Sequence, residues 1–199
     1  MAIIVEHDKR KHEILQKSID VFIEEGYEDA TFQKIADRCG ITRTTLYIYF
    51  NNKHEIFLGS IKELLTTLEQ NLYNIVNDVS LNAKQALNTL FDIMIDEISS
   101  NQKLFCVLLN YLMQIKKSGV DPNERVRRRV IRLRHYMSTI IIRGMKSNEL
   151  KQTSVKTIND LLFSLVQASI FKLTVLNIKD VTDMKSEIEL VIDGLLQKN

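Results

Sequence analysis

A single proline and six glycines punctuate 199 residues. An all-β or βαβ chain of this length needs far more breakers for its tight turns, so the chain is confined to long helices joined by few connections. Hydrophobic residues at 45% and charged residues at 26% are enough for a buried core and a solvated surface, and they exclude wholesale disorder. No apolar run reaches the roughly 18–20 residues of a membrane span, and residues 1–11 lack the basic-then-apolar pattern of a secretion signal. Cys39 and Cys106 sit in apolar-periodic segments, the usage of a reducing compartment rather than a disulfide framework. The expectation is a cytoplasmic protein without a membrane partner.

Apolar spacing predicts eight or nine helices. Ile14, Leu15, Ile19, Phe22 and Ile23 recur at three- and four-residue steps and mark a first helix over Lys9–Gly26. Thr31 is the natural N-cap of a short helix from Phe32 to Cys39, and Gly40 supplies the left-handed conformation that stops it. Thr42 caps a third short helix, Arg43–Tyr49. Asn51-Asn52 then breaks the chain before a long helix from Lys53 to about Val79. Beyond Leu81, Asn82 and Gln85 have the spacing of a capping box, and a further helix carries Leu104 to Ile115. Asp121-Pro122-Asn123-Glu124 opens another, with aspartate at the cap, proline at the first helical position and glutamate at the third. The last two helices fall at about 154–176 and 182–197.

Within the first fifty residues, two short helices joined by a glycine turn must cross steeply, and only a small side chain fits between them. Ala36 is that residue, with Ile35, Ile41 and Leu46 spaced to close a miniature core. This is a helix-turn-helix pattern. In such units the N-terminal end of the second helix meets base edges in the major groove. Here that end is Thr42, Arg43, Thr44 and Thr45, followed by Tyr47. Arg43 has the fork that matches guanine, the hydroxyls of Thr42, Thr44, Thr45, Tyr47 and Tyr49 suit phosphates, and the threonine methyls suit thymine. Lys53 opens a helix where ammonium and helix dipole together favour a phosphate. Charge is local: residues 1–60 hold eight Lys/Arg against ten Asp/Glu, a net of −2, whereas 31–53 hold four against one, or +3. Lys9-Arg10-Lys11 reads either as an arm toward the DNA backbone or as a solvated helix start.

Gly26-Tyr27, Thr31, Ile35-Ala36, Cys39-Gly40-Ile41-Thr42, Thr45-Leu46-Tyr47, Tyr49-Phe50, Lys53 and Ile56-Phe57 together resemble the N-terminal domain of TetR-family transcriptional regulators, over residues 8–58. The resemblance implies an all-α fold of about nine helices. A three-helix DNA-binding domain at 1–52 would be joined, by a long helix from about Lys53, to a helical effector-binding and dimerisation domain at 53–199. It makes Thr31 a phosphate contact, Arg43 to Thr45 base readers, Tyr47, Tyr49 and Lys53 backbone clamps, and Phe50 core. Arg43-Thr44 depart from the small residue or glycine frequent there, which changes which bases are read. Cys39 replaces the usual alanine.

In the remaining chain, a helix apolar on nearly all sides over 158–176 must be covered. The cover is either the chain's own core or, with the helix at 184–196, the same pair from a second copy in a four-helix interface. The resemblance favours the homodimer, through 154–176 and 182–197, on a palindromic operator. It also implies a pocket for an unknown small-molecule effector, for which Phe91, Met94, Phe105, Leu109, Tyr111, Met113, Met137 and Phe163 are candidates; such stripes also suit plain core. Arg125, Arg127, Arg128, Arg129, Arg132 and Arg134 form a run without an acid among them. They read either as a solvated face partly neutralised by Asp92, Asp96 and Glu97, or as a site for an anionic effector or a link between domains. The histidines lack metal-site spacing, no cofactor motif is present, and Cys106 has no activator in sequence.

The function expected is a ligand-responsive DNA-binding regulator, a repressor released when an effector favours a dimer with wrongly spaced reading heads. A helical interaction module without DNA binding, or an enzyme acting on an anionic substrate, remain as alternatives. No catalytic constellation marks an enzyme.

Overall fold

The structure, a computed structural model, describes residues 2–197 and the side chains of residues 6–197. Among the described residues there are nine α-helices: α1 (Ala2–Asp29), α2 (Phe32–Cys39), α3 (Arg43–Tyr49), α4 (Lys53–Asn77), α5 (Ala83–Ser100), α6 (Gln102–Lys117), α7 (Pro122–Lys146), α8 (Val155–Thr174) and α9 (Thr182–Leu195). The chain is all-α; the only strand-like pairing among these residues is an isolated antiparallel bridge between Leu150 and Leu196. The chain divides into two compact units. One comprises residues up to Thr67 with Cys106–Leu112, and the other Leu68–Phe105 with Met113 onward. Helices α4 and α6 thus contribute residues to both. Among the described residues, no helix is long and apolar enough to cross a membrane.

In the first unit α1 runs three residues past its expected end. Gly26 breaks the helix with φ 78° and ψ 171°, but helical structure resumes to Asp29. Its buried face is Ile14, Leu15, Ser18, Val21 and Phe22, whereas Ile19 and Ile23, expected in that face, are half-buried. Ser18 is tolerated inside because its hydroxyl donates to the Ile14 carbonyl at 2.6 Å. Helix α4 approaches closely at Gly59, where a Cβ would stand 2.7 Å from Leu15 Cδ2. Beside it, the Ser60 hydroxyl donates to the Leu15 carbonyl at 2.8 Å. The Phe57 ring meets Phe22, Tyr27 and Tyr111 with centroids 4.9, 5.0 and 5.0 Å apart, the Phe22 contact edge-on.

In the second unit the core gathers Leu87, Leu90, Phe91 and Ile95 of α5, Met137, Ile140 and Ile141 of α7, Ile158, Leu162 and Val166 of α8, and Met184, Ile188 and Ile192 of α9. The expected capping box is present: the Asn82 side chain accepts from Gln85 N–H at 2.8 Å, and the Gln85 side chain accepts from Asn82 N–H at 3.1 Å. Asp121 caps α7 as expected, its side chain accepting from Asn123 N–H at 2.9 Å, with Pro122 and Glu124 in the first turn. Helix α9 ends two residues short of the expected 197, because Leu196 turns extended and pairs with Leu150.

Half of the arginine run is paired, and with other acids than expected. Arg129 and Arg132 both meet Glu69, Arg129 at 2.9 Å, and Arg134 meets Asp160. Asp92 and Asp96 pair with Lys185 instead, while Glu97 accepts from Asn101. Spacing along α7 could not have chosen among acids contributed by other helices.

Candidate nucleic-acid interface

Two hydroxyl caps hold the helix-turn-helix. Thr31 accepts from Lys34 N–H at 3.2 Å and opens α2; Thr42 accepts from Thr45 N–H at 3.1 Å and opens α3. Between them Gly40 takes the left-handed conformation (φ 67°, ψ 34°) and turns the chain. Ile35, Ala36 and Leu46 are fully buried where the helices cross, while Ile41 is only half-buried. Burial pushes the Cys39 thiol up, so it stays protonated and acts as a small apolar side chain.

At about 100° per residue, Arg43, Tyr47, Thr44 and Ile48 occupy one continuous sector of α3. All four are exposed, Tyr47 at 49% and Ile48 at 68%, whereas Leu46 on the opposite side is buried. The sector is rigidly backed. The Tyr47 ring stacks on Phe32 with centroids 4.5 Å apart, and Arg43 lies 5.6 Å over the Tyr47 ring and donates to its hydroxyl at 3.1 Å. The Thr42 and Thr45 hydroxyls are 2.8 Å apart. Half-buried Tyr49 stacks on His7 at 4.7 Å, and Phe50 is buried with Lys11 over its ring at 5.0 Å. Ile48 is the residue the sequence reading passed over. Its position four after Thr44, on the same face, was the available signal.

The local charge is largely spent inside the unit. Lys34 meets Glu25 at 2.5 Å, and Arg38 meets Glu24 and Asp20. Hydrogen bonding to Arg38 holds the Glu24 carboxyl below the usual carboxylate range. Lys53, expected to face a phosphate, turns inward: its ammonium donates to the Tyr27 and Glu28 carbonyls at 2.7 and 2.6 Å and lies 4.9 Å over the Tyr27 ring. A helix C-terminus with unpaired carbonyls and a partial negative charge is an equally good seat for a cation. Arg10, one of the three basic residues of the possible arm, pairs with Glu13 at 2.8 Å inside α1. Of the four cations between 31 and 53, Arg43 alone points its charge outward along α3.

The eight candidate pocket residues are divided between the two units. Leu109 and Tyr111 belong to the first unit, where Tyr111 sits 4.8 Å from Tyr27 and its hydroxyl 3.2 Å from His54 Nδ1. Met113 is 56% exposed, while Phe91, Met94 and Met137 are core, and half-buried Phe105 and Phe163 pack at the core's edge. Phe163 also carries the Arg134 guanidinium 4.3 Å over its ring. His135 is exposed.

Residues 14–59 match the family described as "Bacterial regulatory proteins, tetR family". Across more of the chain, the fatty acid metabolism regulator protein of Bacillus subtilis is 20% identical over 159 residues, covering 79% of this chain and 80% of that protein. Among solved structures, a TetR transcription regulator from Haloarcula marismortui superposes with a TM-score of 0.84 at 19% identity, over 96% of this chain and all of that one. The regulator FadR from Bacillus subtilis in complex with stearoyl-CoA superposes with a TM-score of 0.75 at 18% identity, over 91% and 96%. Residues 14–59 thus match the DNA-binding domain of TetR-family regulators, and the chain as a whole has the fold of solved regulators of that family.

Proposed function

We propose that the chain is a dimeric repressor that reads a palindromic operator through α3 and is released by an effector carrying a fatty acyl chain. One observation carries the DNA reading: the exposed sector of Arg43, Thr44, Tyr47 and Ile48, held rigid by the Thr42 cap and the Phe32–Tyr47 stack. In this reading Arg43 takes a guanine edge, and Thr44 and Ile48 offer methyls to thymine. Thr31, Thr42, Thr45, Tyr47 and Tyr49 donate to phosphates. Two copies place their α3 helices in major-groove faces about one helical turn apart.

The second copy is supported by apolar side chains left open on α8, α9 and the connection between them. Leu161, Phe171 and Leu190 are 45%, 51% and 74% exposed, and Val175 and Leu176 are exposed beside them. The effector class is supported by the names of the relatives above. An effector bound in the second unit acts by preferring the dimer form that fits the operator less well.

The test is a gel shift against the DNA flanking the protein's own gene, in excess random competitor. Sharp retention is expected. Arg43→Ala should cost about 1–3 kcal/mol of operator affinity and relax preference at one base position. Identical binding of the parent and Arg43→Ala to operator and random duplex overturns the assignment.

A further inference from the structure

The six arginines of α7 fall into two groups. Arg129, Arg132 and Arg134 are engaged by Glu69 and Asp160, with Arg134 also over the Phe163 ring. Arg125, Arg127 and Arg128 are exposed, and among the described residues none of them meets a carboxylate. Three like charges within four residues repel one another and gain nothing in return from within the chain.

The same stretch of α7 has an unfinished apolar face. Val126, Val130, Leu133, Met137 and Ile140 share one side of the helix by their spacing. Met137 and Ile140 are fully buried, but Val126, Val130 and Leu133 are only half-buried. At helical spacing Arg125 falls on one flank of this half-covered face and Arg127 on the other, with Arg128 behind. Shortly before α7 in the chain, Lys116 and Lys117 at the end of α6 and Val120 in the following turn are also exposed. A surface apolar along its middle and cationic along both edges complements a molecule with a hydrocarbon tail and a phosphorylated head. A free fatty acid offers one carboxylate for these cations, and a bare nucleotide offers no tail.

We infer that the N-terminal half of α7 is the head-group site for a long-chain acyl-coenzyme A, in which Arg125 and Arg127 pair with the phosphates across the Val126–Val130–Leu133 face. Guanidinium forks bind phosphate oxygens two at a time, which suits them to this position better than lysine. The inference rests on the fatty-acyl reading of the effector and adds where its charged end is held.

The experiment titrates palmitoyl-coenzyme A into the full-length parent and into an Arg125→Ala/Arg127→Ala variant at several salt concentrations. Melting temperature and operator binding without ligand are measured on both. The variant should melt like the parent, since both side chains are exposed, and should bind operator equally. It should bind the thioester about tenfold or more weakly, with a shallower salt dependence, the size expected for lost charge-assisted hydrogen bonds. Unchanged thioester affinity in the variant overturns the head-group site while leaving the effector class standing. Weaker operator binding without ligand overturns it too, because the arginines would then belong to a DNA surface. A parent that does not bind palmitoyl-coenzyme A at all removes the acyl effector itself, and the site with it.

Discussion

At the scale of single residues, the same side chain type serves opposite ends according to what lies within its reach. Arg43 and Lys53 both sit at the start of a helix and both looked like DNA contacts, yet only Arg43 keeps its charge outward, braced on Tyr47. Lys53 closes the C-terminal end of α1 through the Tyr27 and Glu28 carbonyls. Lys53→Ala should therefore act first on stability. Loss of two charge-assisted bonds at a half-buried site is expected to cost about 1–2 kcal/mol and to lower the melting temperature. Thermal unfolding beside operator titration checks this. An unchanged melting temperature with weakened binding would return the ammonium to the phosphate role.

At the scale of elements, close approach and clamping decide which helices hold firm. Gly144 of α7 leaves no room for a side chain: an added Cβ would stand 2.5 Å from the Ala83 Cβ and 2.8 Å from Leu150. Gly144→Ala is expected to destabilise by about 1–3 kcal/mol despite the better helix propensity of alanine, since overpacking outweighs the propensity gain. Denaturant unfolding reads this directly, and a gain in stability would show that the segment around Leu150 yields. The clamp between α1 and α2 is weaker and depends on pH. Arg38 holds the folded Glu24 carboxyl below its ordinary value. The clamp's contribution is thus complete above the ordinary carboxylate pKa and is lost as pH falls through the lowered folded value. Glu24→Gln should remove a small part of the acid-side loss of melting temperature that sets in as pH falls below the ordinary carboxylate pKa, and leave the rest of the profile alone. Superimposable profiles would mean that the pair contributes nothing measurable.

At the scale of the whole molecule, the proposed dimer would use the open apolar side chains of α8 and α9 as its seam. Placing a carboxylate at Phe171 and Leu190 together should convert a dimer to monomers in sedimentation. Specific operator binding should fall with it, because one α3 reads only half of a palindrome. A variant that still sediments as the dimer would move the interface elsewhere. The helix-turn-helix was legible in the amino-acid order because everything that makes it is local: Thr31 and Thr42 cap, Gly40 turns, and Ala36 and Leu46 meet within a dozen residues. Its outward face was legible for the same reason, apart from Ile48. Partnerships across long stretches of chain were not: Glu69 for Arg129 and Arg132, the α1 carbonyls for Lys53, Tyr111 among the aromatics of the first unit, and Leu150 for Leu196. Periodicity and caps record which side of a helix is apolar and where it begins, since those depend on neighbours three or four positions away. Which helix covers that side, and which charge meets which, depends on how distant segments pack, and only tertiary structure decides it.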